Sequence, residues 1–178
     1  MLNEGSVMPP NSLGRAATAR IQILAPAKEL DFLDTQSVVL PAPVTPLEAW
    51  NIMHAKPLPG MKLAFRLRDA ISACFGVKRI GGISRTPKAA VQTGDQLDFF
   101  LVEALSDEVM TLTVRDRHLD VMTCVSSSSG VLSVTSSVKT HNLFGRIYMI
   151  PVRPAHKLIV ALSLKRLRRE FDRRAVAG

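Results

Sequence analysis

Cysteine is nearly absent from this chain. Cys74 and Cys124 are the only two in 178 residues, and their separation matches no metal-ligand spacing, so neither a disulfide framework nor a cysteine-built metal centre organises the fold. Neither has the charged surroundings that mark a lowered thiol pKa. Aromatic residues are scarce at 5%, with one Trp and one Tyr, which leaves no series of flat faces on which nucleic-acid bases could stack. Long apolar runs are missing too. Near the C-terminus the longest uncharged one is Leu158 to Leu164, seven residues, against the ~20 of a membrane span. Met1-Leu2-Asn3-Glu4-Gly5 has neither a basic region nor an apolar stretch behind it, so no secretory signal is expected and the reading is of a soluble, cytoplasmic protein. There is no G-x-S-x-G elbow for a serine hydrolase. Gly81-Gly82 lacks the Lys-Ser or Lys-Thr pair of a phosphate-cradling loop.

What remains is an ordinary globular composition, 47% hydrophobic and 21% charged, at a length that favours one domain. The net charge of +8 is local: from Arg153 onward there are eight basic residues against Glu170 and Asp172, so this end carries +6. A basic tail of this kind suits a solvated helix C-terminus. It also admits weak contact with an anionic membrane through the basic C-terminal helix. No nucleic-acid partner is expected.

Prolines divide the chain. Six fall from Pro26 to Pro59 and none between Lys88 and Ile150, and a stretch free of proline can hold central strands. Within it Met110, Leu112 and Val114 alternate with threonines, and Leu132, Val134 and Val138 alternate with Ser133, Thr135 and Ser137, the period of half-buried antiparallel strands. Turn signals at Ser106-Asp107-Glu108 and at Ser126 to Gly130 predict strands over 97–105, 109–115, 119–125 and 131–140, with a fifth over 31–40. Thr45, Pro46 and Glu48 predict a capped helix whose apolar side carries Leu47, Trp50 and Met53. A second helix is expected over 61–75, stopped by Gly76, and a third after Pro154 with Leu158, Ile159, Leu162, Leu167 and Phe171 on its apolar face. Residues 1–19 read as a flexible N-terminal arm, 20–171 as a single domain and 172–178 as a C-terminal tail. The order strand, two helices, antiparallel strands, long helix predicts an α+β fold: a curved antiparallel sheet wrapped on a long C-terminal helix. This helix-grip order resembles the START and Bet v 1-like (SRPBCC) superfamily.

Three segments are similar to a bacterial family: Asp116-Arg117-His118-Leu119-Asp120, then Thr140-His141-Asn142-Leu143-Phe144-Gly145-Arg146-Ile147-Tyr148, then Ile150 to Val160. Together they resemble the domain of unknown function 2867 family over roughly residues 25–167. Asp31 to Asp34 and Leu67-Arg68-Asp69 fit its general pattern, while Ala155 stands where the family is expected to carry an aromatic. The family has no established activity. Its occurrence behind a reductase-like domain in larger proteins implies at most a reductase-like partner in trans.

Asp116, His118 and Asp120 alternate, so in a continuous strand they share one face, where a carboxylate could orient an imidazole. The competing reading is a turn in which an aspartate bonds the backbone, and the triplet lacks the fixed helical geometry of a zinc motif. His141 and Asn142 end the last strand, either as a polar pair at a cavity mouth with Arg146 and Tyr148 nearby, or with Asn142 capping the following helix. His54 has no partner pattern, and His156 reads as a surface or packing histidine. The expectation is a small-molecule-binding module that holds a hydrophobic or amphipathic ligand between sheet and C-terminal helix. Trp50, Asp116, His118, Asp120, His141, Asn142, Arg146 and Tyr148 are the candidate contacts, and no cofactor or metal is expected. The alternative is a cyclase- or hydratase-type enzyme with His118 or His141 as base and Asp120 as orienting carboxylate. A homodimer is admitted by the sequence without being specified by it.

Overall fold

A computed structural model describes residues 21–56 and 87–177. A 3-10 turn at Ala27–Glu29 precedes β1 (Phe32–Val39) and α1 (Pro46–His54). Then come β2 (Gln96–Leu97), β3 (Phe100–Leu105), β4 (Val109–Arg115), β5 (Leu119–Ser128), β6 (Val131–Thr140) and α2 (Leu143–Ala177). Among the described residues the strands form one open antiparallel sheet in the order β1-β6-β5-β4-β3-β2. The first and last strands in sequence are therefore hydrogen-bonded neighbours, and the long helix that follows β6 packs against this end of the sheet. This is the α+β arrangement the sequence predicts, of helix-grip type. The helix expected over 61–75 and the arm expected over 1–19 lie outside the described residues.

The alternation works as the pattern requires. Gln36, Val134, Val125 and Met110 are cross-strand neighbours in one row, Asp34, Ser136, Thr123 and Leu112 in the next, and Val38 pairs with Leu132 on the same face. That inner face packs on α1 and on the C-terminal half of α2. Leu132, Val134, Trp50, Met53, Val160, Leu164, Leu167 and Phe171 all belong to one buried cluster. α1 starts as expected: Thr45 Oγ1 accepts from the amide of Glu48 at 3.3 Å, with Pro46 in the first turn.

Several boundaries move. The β5–β6 hairpin closes through Ser129 and Gly130 alone, both at positive φ (51° and 75°), so β5 runs on to Ser128, past the 125 predicted, while β6 spans 131–140 as predicted. Positive φ is the conformation a two-residue hairpin demands, because its twist matches that of the strands. The strand expected over 97–105 is instead a small hairpin, β2 and β3, turned at Asp98 (φ 59°) and Phe99. The outer face of the sheet is not left to solvent. Thr111, Thr113, Thr135, Ser137 and Cys124 are buried there. Residues 22–24 run across them: the Leu24 amide donates to Ser137 Oγ (3.1 Å), and Thr111 Oγ1 donates to Gln22 Oε1 (3.0 Å). Small hydroxyl side chains allow a close approach and satisfy backbone groups that have no strand partner.

The largest departure concerns α2. A short helix after Asn142 and a separate one after Pro154 are a single element that continues to Ala177, through the expected tail, with Pro151 and Pro154 inside it. Each proline forfeits one backbone hydrogen bond, to the carbonyl four residues earlier. Those carbonyls belong to Ile147 and Ile150, which are exposed, so water can satisfy them. The helix is continuous enough, by length and composition, to pass as a membrane-span candidate. Its inner face, however, is built into the core: Val160, Ser163, Leu164, Leu167 and Phe171 are buried, and Leu158, expected inside, points out.

Candidate functional site

The C-terminal half of α2 packs on the main core, and at its N-terminal half Met149 joins Phe32, Leu119 and Val138 in a second, smaller buried cluster. Between the N-terminal half and the strand ends lies a partly open cavity of about 160 Å³. Phe32, Val114, Leu119, Val121 and Val138 form its sheet wall, Phe99 and Phe100 its β2–β3 side, and Phe144, Met149 and Val152 its helix wall. The polar lining residues are Asp116, His118, Ser136, Tyr148 and His156.

The edge at His118 is fixed by a hydrogen-bonded corner. Asp116 does not sit on a strand with His118 and Asp120. It opens the β4–β5 turn, and its Oδ1 accepts from the amides of His118 (2.6 Å) and Leu119 (3.0 Å). An aspartate two residues before a tight turn satisfies the turn's amides in this way. Asn142 caps α2, its Oδ1 accepting from the Gly145 amide (3.1 Å) while its Nδ2 donates to the Arg117 carbonyl (3.0 Å). His118 Nδ1 lies 3.0 Å from Asn142 Nδ2 and 3.2 Å from its Oδ1, and Arg117 Nε donates to His118 Nε2 at 2.9 Å, so both ring nitrogens have partners in the corner. Gly145 makes the corner sterically feasible, since a Cβ there would overlap the His118 carbonyl oxygen. At the other side of β1, Thr140 donates both its amide and its hydroxyl to Asp31 (2.7 and 2.9 Å), which holds the Asp31 carboxyl below the usual range.

The sequence candidates therefore do not converge on one place. Asp116, His118 and Tyr148 line the cavity. Asp120 Oδ1 and His141 Nε2 lie 3.2 Å apart on the opposite side of the sheet, because Asp120 alternates with the inward Leu119 and Val121. Trp50 belongs to the main core, edge-on to Phe100 at 5.7 Å and 4.1 Å from the His54 ring. Asn142 is the cap and Arg146 is exposed. An enzyme reading needs one histidine that both faces the cavity and meets a carboxylate. The two requirements fall on different residues. His118 faces the cavity, but its rings nitrogens bond to Arg117 and Asn142; His141 has the carboxylate, but lies outside. Among the described residues no three His, Cys, Asp or Glu side chains converge as a metal site.

The residue that sequence reasoning passed over is His156. Its ring stands edge-on to Phe32, with centroids 5.6 Å apart, and its Nε2 is buried with no hydrogen-bond partner among the described residues. Burial pushes its pKa down, against a smaller opposing pull from Asp34. A signal was present. Once α2 is continuous, Met149, Val152, His156, Val160, Ser163, Leu167 and Phe171 fall at helical spacing on one face. Placing a helix start at Pro154 hid this.

The fold and cavity define an α+β protein of helix-grip type with a recess between the sheet and its C-terminal helix. The family model described as "Protein of unknown function (DUF2867)" matches residues 26–163, and the chain belongs to that family. No curated protein and no solved structure gives a match.

Proposed function

We propose that this protein is a binding module for a small, neutral, amphipathic molecule: one ring or short chain bearing a hydroxyl or carbonyl oxygen. The reading rests on the unpartnered His156 Nε2 in a wall otherwise made of aliphatic and aromatic groups. A buried polar atom without a partner costs about 1–3 kcal/mol, and a ligand oxygen would remove that cost. The volume limits the guest. An engineered apolar cavity of about 150 Å³ in another protein accommodates benzene, so about 160 Å³ suits a single ring and not a sterol. Charge limits it as well. Asp116 is the one lining carboxylate, no Lys or Arg is among the lining residues, and burial favours neutral His156, so the lining offers an anionic guest no fixed positive charge. Ser136 Oγ, on the sheet wall, is a second hydroxyl within the same recess.

Phenol and toluene form a matched pair of probes, alike in shape and different in one hydroxyl. Titrated into the protein and followed by amide chemical shifts, phenol should bind more tightly, by roughly 5–30-fold for 1–2 kcal/mol of regained hydrogen bonding. The preference should vanish in His156→Phe. Equal affinity for both probes, or no shifts at residues around the cavity with either, would count against the reading.

A further inference from the structure

The outward face of the same helical turns is apolar. Leu143 (71% exposed), Ile147 (56%), Ile150 (68%) and Leu158 (60%) are in solvent, together with Pro151 and Pro154. At 100° per residue these six positions fall within an arc of about 100°, a stripe some 22 Å long at 1.5 Å per residue. Contiguous exposed apolar surface on a folded domain marks a contact site. The charges along this part of the helix are of one sign, with Lys157 paired to Asp34 of β1 (3.5 Å) and Arg168 to Asp172 (2.8 Å). From Leu143 to Arg169 the helix carries seven basic residues and no acidic one. Arg146, Arg153 and Lys157 run along one border of the stripe, and Lys165, Arg168 and Arg169 continue the exposed surface beyond its C-terminal end.

We propose that this stripe lies on an anionic phospholipid surface, with the aliphatic side chains at the boundary between headgroups and acyl chains and the cations at the phosphates. A helix with an aliphatic face bordered by Lys and Arg binds in the plane of the interface. The helix does not span, because its opposite face is the wall of the core and of the cavity. A protein partner fits the surface less well: the stripe is aliphatic and has no Trp or Tyr of the kind that anchors protein interfaces. A second copy packed antiparallel would set cationic border against cationic border. The inference is independent of what the cavity holds, but it places the helix that forms the cavity wall against the lipid phase.

The test is flotation of the full chain with vesicles of equimolar phosphatidylcholine and phosphatidylglycerol and with vesicles of phosphatidylcholine alone. Binding is expected to the anionic vesicles, weakly if at all to the neutral ones, with release at high salt. Combining Ile147→Gln, Ile150→Gln and Leu158→Gln should lower partitioning by at least about tenfold, since one buried aliphatic side chain is worth roughly a tenfold step. Glutamine keeps helix propensity and these side chains are exposed, so the thermal midpoint should hold. A separate Arg146→Gln, Lys165→Gln, Arg169→Gln variant should retain the fold and bind the anionic vesicles more weakly and with a smaller salt dependence. Failure to bind anionic vesicles, equal binding to neutral ones, or undiminished binding by the glutamine variant each overturns the proposal. So does a dimer in sedimentation that the glutamine variant dissociates, which would assign the stripe to a second copy.

Discussion

Replacing His156 by phenylalanine should stabilise the ligand-free protein. The ring and its edge-on contact with Phe32 are kept, and the unpartnered Nε2 is removed. Relief of an unsatisfied buried polar atom is worth about 1–3 kcal/mol, and a somewhat larger ring in a space that already has room should return little of it. A net gain of about 1 kcal/mol at pH 8, with a urea m-value of about 2 kcal/mol/M, raises the midpoint by about 0.5 M. The pH dependence sharpens the test. The folded pKa of His156 is lowered by burial, so below the unfolded value of about 6.5 the unfolded chain binds a proton that the native state refuses. Stability is complete above that range and falls as the pH is lowered, by at most about 1.4 kcal/mol per pH unit for this group. His54, also pushed down by burial, contributes in the same direction, but it is present in both proteins and cancels in the comparison. The gap between His156→Phe and the parent should therefore widen from pH 8 to pH 5. The assay is urea unfolding of protein refolded free of any guest. A variant no more stable than the parent at pH 8, with a gap that stays constant down to pH 5, would refute the claim that Nε2 is buried and unpaired.

Two further substitutions test the local geometry. Gly145→Ala should destabilise by about 1–3 kcal/mol in thermal or urea unfolding, because the new Cβ overlaps the His118 carbonyl oxygen, a backbone atom, and this outweighs the ~1 kcal/mol that alanine gains over glycine in a helix; a stabilised variant would mean that the helix start and the β4–β5 turn are not in contact. Ser129→Asn should stabilise by a few tenths to about 1 kcal/mol in the same measurement, since Ser129 holds φ 51° in a two-residue hairpin where asparagine is favoured, and a loss would argue against that turn.

The architecture was legible because it rests on two periodicities and on caps. Alternation at Met110-Leu112-Val114 and at Leu132-Val134 assigns faces that the cross-strand register confirms, and Thr45-Pro46 starts a helix where the pattern places it. What misled was treating local rules as final. Proline ends a helix on propensity alone, but Pro151 and Pro154 face solvent and the inner side of α2 buries enough apolar surface to carry the element through them. Tertiary packing outweighed roughly 3 kcal/mol of local disfavour per proline. Serine and threonine on alternate strand positions read as solvated, yet they form the floor on which residues 22–24 lie.

The candidate site was harder to see for a reason built into its chemistry. Residues that stand out in a sequence do so by clustering, and clustered polar residues are the ones able to satisfy each other. Asp116, Asn142 and His118 form a corner of that kind, and so do Asp120 and His141; their hydrogen bonds are largely spent on the fold. A group with binding capacity in reserve is one isolated among apolar neighbours, as His156 is among Phe32, Met149 and Val152. In a sequence it is an unremarked histidine on a helix, and only the register of that helix, which runs unbroken from Leu143 to Ala177, brings it to the cavity. The same register turns Ile147, Ile150 and Leu158 outward. One geometric fact, the continuity of α2 from Leu143, thus determines both the polar point inside the recess and the apolar stripe outside it.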